Sequence, residues 1–182
     1  MNDPAQIPGA FYEGDPPRGP LVAPGRYELR LTLNGVTRTA PLTVIADPRM
    51  PGSEAAIAAK TALAVATVAD IDALHRAVNE VRAARKVIAA SSDKALDPQL
   101  ADIEEALMQV NMKGSEADLA FPGMLNEQYA SFAGVLDDAD TAPTAQEVAM
   151  FNQLHARLGV QLAAWSKLKA GPLANLTVAA ER

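Results

Sequence analysis

Residues 53–90 read SEAAIAAKTALAVATVADIDALHRAVNEVRAARKVIAA, and this stretch decides the fold. Within it Ile57, Ala64, Val68, Ile71, Leu74, Val78, Val81, Arg85 and Ile88 recur at helical intervals. Steps of three and four residues bring side chains to one face of a helix, so the pattern predicts one continuous helix with an apolar seam, ending near Ala90. Asp47-Pro48-Arg49 and Pro51-Gly52 break the chain just before it. Ser53 is placed to cap it, and Glu54 complements the positive end of its dipole. Such a helix is about 55 Å long. That length suits a bundle or a stalk, and it leaves seam for a second molecule to cover. Arg85 is the one seam charge expected to be partly buried.

Downstream the pattern continues. Asp97-Pro98 is a helix start, a capping carboxylate followed by proline at the first helical position. Leu100, Ile103, Leu107 and Val110 form its inner face, and Gly114 is placed to stop it. Pro122 opens a third helix with Leu125, Tyr129, Phe132 and Leu136 inward. Thr144 with Glu147 makes a capping box for the fourth, which carries Phe151, Leu154, Leu158, Leu162, Trp165 and Leu168 and ends at Gly171-Pro172. Connections of roughly six to nine residues predict antiparallel neighbours.

Upstream the period changes to two. Tyr27, Leu29, Leu31 and Leu33 alternate with Arg26, Glu28, Arg30 and Thr32, then Asn34-Gly35 offers a tight turn and Val36–Ile45 returns. A two-residue loop sets Arg38 opposite Leu31 on the apolar face. That conflict predicts a bulge or another loop length, with Pro41 as its place and this strand as an edge. Residues 1–25 hold six of the thirteen prolines, Pro4, Pro8, Pro16, Pro17, Pro20 and Pro24, which forbids helix and favours extended backbone laid against something. A lone hairpin is marginal in water, so it is expected to pack on the helices, the leader or a partner. The reading is an α+β, mainly α chain. A Pro-rich leader and a β-hairpin or small β-sandwich-like unit occupy 1–50, an antiparallel four-helix bundle 53–172, and a short tail 173–182.

Composition limits the function. Of 182 residues 49% are hydrophobic, many of them alanine, and only 4% aromatic, which suits close-packed helices. Sixteen basic against 22 acidic residues give a net charge of −6, which argues against nucleic acid and anionic membrane as partners. There is no cysteine, so disulfides, thiol nucleophiles and thiolate metal sites are excluded. Met1–Ile7 lacks the apolar core of a signal peptide, and the apolar run closest to a membrane span, Ala62–Ala69, is short and interrupted by Thr67.

Candidate chemistry is sparse. His75 and His155 sit beside their helices' seams and form a metal site only if they face each other with a carboxylate such as Asp72 nearby; otherwise each is a hydrogen-bonded boundary residue. Asp137, Asp138 and Asp140 crowd one loop without the glycine and terminal glutamate of a calcium loop. Asp102, Glu104 and Glu105 read as a solvent face able to pair with Arg76, Arg82, Arg85 and Lys86. Ser91, Ser92 and Thr141 lack a histidine and carboxylate context. Tyr129 and Trp165 fit core positions, whereas a sugar platform needs them exposed. No catalytic residue, metal ligand or cofactor is assigned.

The order of Pro8-Gly9-Ala10, Gly19-Pro20, Pro24-Gly25-Arg26-Tyr27-Glu28-Leu29-Arg30-Leu31, Gly35, Pro41-Leu42-Thr43-Val44 and Asp47-Pro48-Arg49 resembles the C-terminal region of large bacterial BNR-repeat proteins related to sortilin, often called glycosyl hydrolases. Leu74-His75-Arg76-Ala77, Val81-Arg82, Arg85-Lys86 and Ala142-Pro143-Thr144 continue that order through the helices. The resemblance implies a periplasmic or secreted parent with a β-propeller absent from this chain, and it carries over no catalytic residue. The expected role is a non-catalytic accessory or protein-interaction module that packs on the propeller or on itself as a homo-oligomer. The alternative is a carbohydrate-binding or glycoside-hydrolase-associated domain.

Overall fold

The computed structural model describes residues 2–12, 14–49, 53–91 and 94–174. Pro51, Gly52, Ser92 and positions 175–182 of the predicted tail lie outside the described residues. The architecture is α+β and mainly helical: strands β1 (Gly25–Leu33) and β2 (Val36–Val44), then helices α1 (Glu54–Ala90), α2 (Asp97–Leu107), α3 (Leu125–Asp137) and α4 (Ala145–Ala170). Ser53 caps α1 by accepting the Ala56 N–H at 3.1 Å. Every aliphatic residue of the predicted seam, from Ile57 to Ile88, is buried. Arg85 is partly buried, as the pattern required.

The helices lie in three rows. Asp97 meets Arg85 while Glu104 meets Arg82, so α2 runs antiparallel to the C-terminal half of α1. Asn126 meets His75 and Tyr129 meets Asp70, so α3 runs antiparallel to the preceding stretch. Thus α2 and α3 point the same way and succeed each other along α1, a single row broken in the middle. The return row is α4, parallel to α1, with Glu147 at Lys60, His155 at Asp70 and Trp165 at Glu80. With α2, α3 and α4 packed on it, the α1 seam is covered along its length. The spare seam expected for a second molecule does not exist.

Two expected helix ends move. Asp97 does not cap α2; its carboxylate binds Arg85 Nε at 2.9 Å and the cap position falls to Leu96 without a side-chain bond. The stronger charge-assisted bond takes the carboxylate away from the backbone. α2 also ends at Leu107, well before Gly114. The connection over residues 108–124 is therefore far longer than the six to nine residues expected, with a 3-10 turn at Ala117–Leu119 inside it. Glu127 closes it, accepting the N–H groups of Gln109 at 3.1 Å and Met124 at 2.8 Å and so joining the exit of α2 to the start of α3. Thr144 and Glu147 form the capping box the sequence specifies, with bonds of 3.1 and 2.6 Å.

The hairpin has no bulge. Asn34 and Gly35 both take positive φ, 50° and 77°, the two-residue turn whose twist matches paired strands. The register is regular throughout, with Leu31 opposite Arg38 and Glu28 opposite Pro41. Pairs next to such a turn alternate between bonded and non-bonded, beginning with bonded Leu33 and Val36. Pro41 therefore falls at a non-bonded pair, where its missing N–H points away from β1 and breaks nothing. Arg38 creates no conflict either, because both faces of both strands are solvent-exposed and the apolar face touches no core.

Candidate functional site

The leader is held by one face of α1. Asp72, His75, Asn79 and Arg82 follow at spacings of three, four and three, which places them in one row beside the apolar seam. Each takes a backbone group of the leader. Asp72 Oδ1 accepts Ala5 N–H at 2.7 Å, His75 Nδ1 bonds the Ala5 carbonyl, Asn79 Nδ2 donates to Gln6 O at 2.8 Å and Arg82 Nη1 to Pro8 O at 3.1 Å. The Ala5 carbonyl can only accept, so His75 Nδ1 is the donor of that bond. The leader then reverses at Pro8-Gly9, where Gly9 has φ 75° and Ala10 N–H bonds Ile7 O. Ile7 packs into the core on the way. Tyr12 returns to the same histidine, its hydroxyl 3.1 Å from Asn126 Oδ1 and 3.3 Å from His75 Nε2. The hydrogen bond from Arg76, and then that from Ala5, hold the Asp72 carboxyl below the usual carboxylate range. Burial pushes the Tyr12 hydroxyl up.

Sequence reasoning did not find this row. Its signal was present as Asp72-x-x-His75-x-x-x-Asn79-x-x-Arg82, a polar line at helical spacing next to an apolar one. What it binds is main chain, which carries no residue pattern of its own.

The remaining polar networks tie the rows together. Glu104, read as solvent-facing, is buried at 5% exposure and accepts Arg82 Nε at 2.6 Å and Arg85 Nη1 at 2.7 Å; only Asp102 and Glu105 face water. Asp97, then Glu104, raise the Arg85 guanidinium further, and Arg85 holds Asp97 low in return. Asp70 Oδ2 accepts both Tyr129 OH and His155 Nδ1 at 2.8 Å, linking α1, α3 and α4. Burial, then the Asp70 bond, push the Tyr129 hydroxyl up. Glu80 accepts Lys169 Nζ at 2.7 Å and Trp165 Nε1 at 2.8 Å, and the lysine holds that carboxyl low. Burial pushes Glu147 up, but bonds from Lys60 and Thr144 outweigh it and leave the group low.

The two histidines share no partner. His75 is fully buried rather than at a boundary, and His155 is exposed and stacked on Phe151 with ring centroids 5.5 Å apart. Among the described residues no group of three or more potential ligands gathers to hold a metal ion. Burial and Asp138 raise the Asp137 carboxyl, with no ligand geometry at that loop. Ser91 Oγ donates to Ile88 O at 2.9 Å, and Thr141 Oγ1 to Ala142 O at 3.3 Å. Trp165 and Tyr129 are core residues, exposed by 4% and 0%. No helix among the described residues is long and apolar enough to cross a membrane.

What the fold presents outward is the hairpin. Register places Leu31 and Arg38, Leu29 and Ala40, and Tyr27 and Leu42 on one face, with Arg26, Glu28, Arg30 and the Thr32–Thr37 pair on the other. Leu31 and Leu33 are 66% and 68% exposed. The base of the hairpin is fixed by Tyr27 OH donating to Ala23 O at 2.6 Å, and Gly19 N–H donates to Asp3 Oδ1 at 2.7 Å to close the leader on itself. Just beyond β2, Arg49 binds Asp47 through Nε, Nη2 and its own N–H, a closed turn that holds the exposed Asp47 carboxyl low. Comparison of the chain with family models, with curated proteins and with solved structures finds no match.

Proposed function

We propose that this chain is a non-catalytic interaction module in which a helical bundle anchors an exposed β-hairpin for docking. One observation carries the reading: a row of large apolar side chains, alternating at period two as in a half-buried strand, faces water in this chain. Such alternation is what a sheet with one covered face requires, and an apolar patch of this kind marks a contact surface. The resemblance to BNR-repeat proteins related to sortilin makes the β-propeller of a larger exported protein a fitting partner. The carbohydrate reading has no exposed tryptophan to support it, since Trp165 is committed to the core and to Glu80.

The test is light scattering of the full chain, alone and mixed with a purified propeller of that family, for wild type and for Leu29→Asp. Association that Leu29→Asp abolishes, with helical circular dichroism unchanged, supports the reading. A wild-type chain that stays monomeric and leaves the propeller free overturns it.

A further inference from the structure

We infer that the occupant of the hairpin's apolar face is the same face of a second copy, two hairpins stacking as a four-stranded sandwich. This rests on the docking reading above and commits it to one partner. Tyr27, Leu29, Leu31, Leu33, Val36 and Leu42 supply the face, each more than a third exposed. Together they expose on the order of 600 Å², at the low end of the roughly 600–1,000 Å² per partner that a stable interface buries. A two-fold pair that buries the whole face therefore comes to the lower bound of such an interface without help from the helices.

The chemistry of the face is self-complementary. It carries a single charge, Arg38, so it offers no pattern for a charged partner to read. Arg38 sits on β2, an edge of the two-stranded sheet, and its long stem lets the guanidinium reach water at the rim while its carbons cover leucine. Ala40, directly opposite Leu29, is the one small residue of the face and leaves a notch for a leucine of the facing copy. A surface that packs on itself must supply both knob and hole, as isologous contacts do.

Face packing is also favoured over edge pairing on β2. The residues of that strand at non-bonded pairs turn their N–H outward, and Pro41 is one of them. An added strand there finds a missing donor in the middle of its ladder.

The experiment is multi-angle light scattering of the full chain from low to high micromolar concentration, with three proteins. Wild type is expected to approach dimer mass. Leu31→Asp places a carboxylate in the centre of the contact and is expected to halve the apparent mass at the same concentration. Thr39→Asp, on the opposite face beside Arg30, is expected to dimerise as wild type does. Helical circular dichroism of each shows that the bundle is folded. A wild type that stays monomeric throughout overturns the inference, as does a Leu31→Asp that still dimerises or a Thr39→Asp that does not. A monomer that nevertheless binds a propeller in a Leu31-dependent way overturns the pairing while leaving the docking reading intact.

Discussion

Replacing His75 by alanine removes a side chain that bonds both legs of the leader. The ring is fully buried, and it serves the Ala5 carbonyl at Nδ1 and the Tyr12–Asn126 pair at Nε2. Each buried polar group left without its partner costs about 1–3 kcal/mol. The Ala5 carbonyl is orphaned, while Tyr12 OH and Asn126 Oδ1 keep their bond to each other, and the lost ring leaves a cavity besides. Against this, the cavity is lined by Ala5 O, Asn126 Oδ1 and Tyr12 OH, enough polar partners to hold a water, which offsets part of the cost. Ala5 is also only partly buried, so its carbonyl regains some hydration. The net expectation is a loss of about 1–3 kcal/mol.

Trp165 makes the measurement simple, since it is the single tryptophan, lies in the core and reports urea unfolding by its fluorescence. Hydrogen exchange of the Ala5 amide, bonded to Asp72 at 2.7 Å, reports the leader separately. Asn79→Ala is the control. Its bond to Gln6 O is exposed, so water replaces it and the cost stays below about 1 kcal/mol. If His75→Ala unfolds at the wild-type urea concentration and its Ala5 amide stays protected, the ring does not hold the leader and the reasoning fails.

Four further outcomes follow from the same geometry. Glu104→Ala strands Arg82 and Arg85, but these are 26% and 33% exposed and Arg85 keeps Asp97, so the urea midpoint should fall by about 2 kcal/mol rather than by the larger cost of a sealed pair. Thr144→Ala removes the cap of α4 and should cost about 1 kcal/mol in the same assay. Asp72, Glu80 and Glu147 all titrate below their ordinary values because of Arg76, Lys169 and Lys60. A folded value below the unfolded one gives stability that is present above the unfolded range and lost as pH falls through the folded one, so a pH series of urea midpoints should drop below about pH 4 and stay level above about pH 5. Gly35→Val forces a branched side chain to φ 77°, at about 1–2 kcal/mol, and should weaken the cross-strand Leu31–Arg38 contact in NMR while helical circular dichroism stays constant.

Faces and most caps were legible in the sequence; most long-range partners were not. The seam from Ile57 to Ile88, the inward set Leu125, Tyr129, Phe132 and Leu136, and the Thr144–Glu147 box all stand where periodicity and local chemistry put them. Asp97 shows why the rest was hidden. Its local setting reads as a cap, but Arg85 lies one helix away, and an ion-paired bond outcompetes a backbone N–H. For Glu104 the pairing with Arg82 and Arg85 was legible but the burial was not, because a carboxylate is assigned to solvent until two arginines are known to enclose it. The bulge expected near Pro41 assumed that one face of the hairpin must be dry. With both faces wet, Leu31 and Arg38 can stand opposite each other at no cost. The leader was read as lying against something, and that something is the polar row Asp72, His75, Asn79 and Arg82.

That row bears on docking as well as on stability. An element that orders only on binding must offset its conformational entropy with part of the interface energy, which weakens the complex. Here the leader is already fixed at four α1 side chains, the turn is already formed at Asn34-Gly35, and Tyr27 already locks the base of β1 to Ala23. The apolar face thus reaches a partner in its bound shape. Loosening the leader should then weaken association without touching the face itself. His75→Ala, tested by light scattering beside Leu31→Asp, separates these contributions. If the hairpin is held ready by the bundle, both variants associate less than wild type, and only Leu31→Asp does so with Trp165 unfolding at the wild-type urea concentration. If His75→Ala associates as wild type does while its leader amides exchange freely, the bundle carries the hairpin without preparing it.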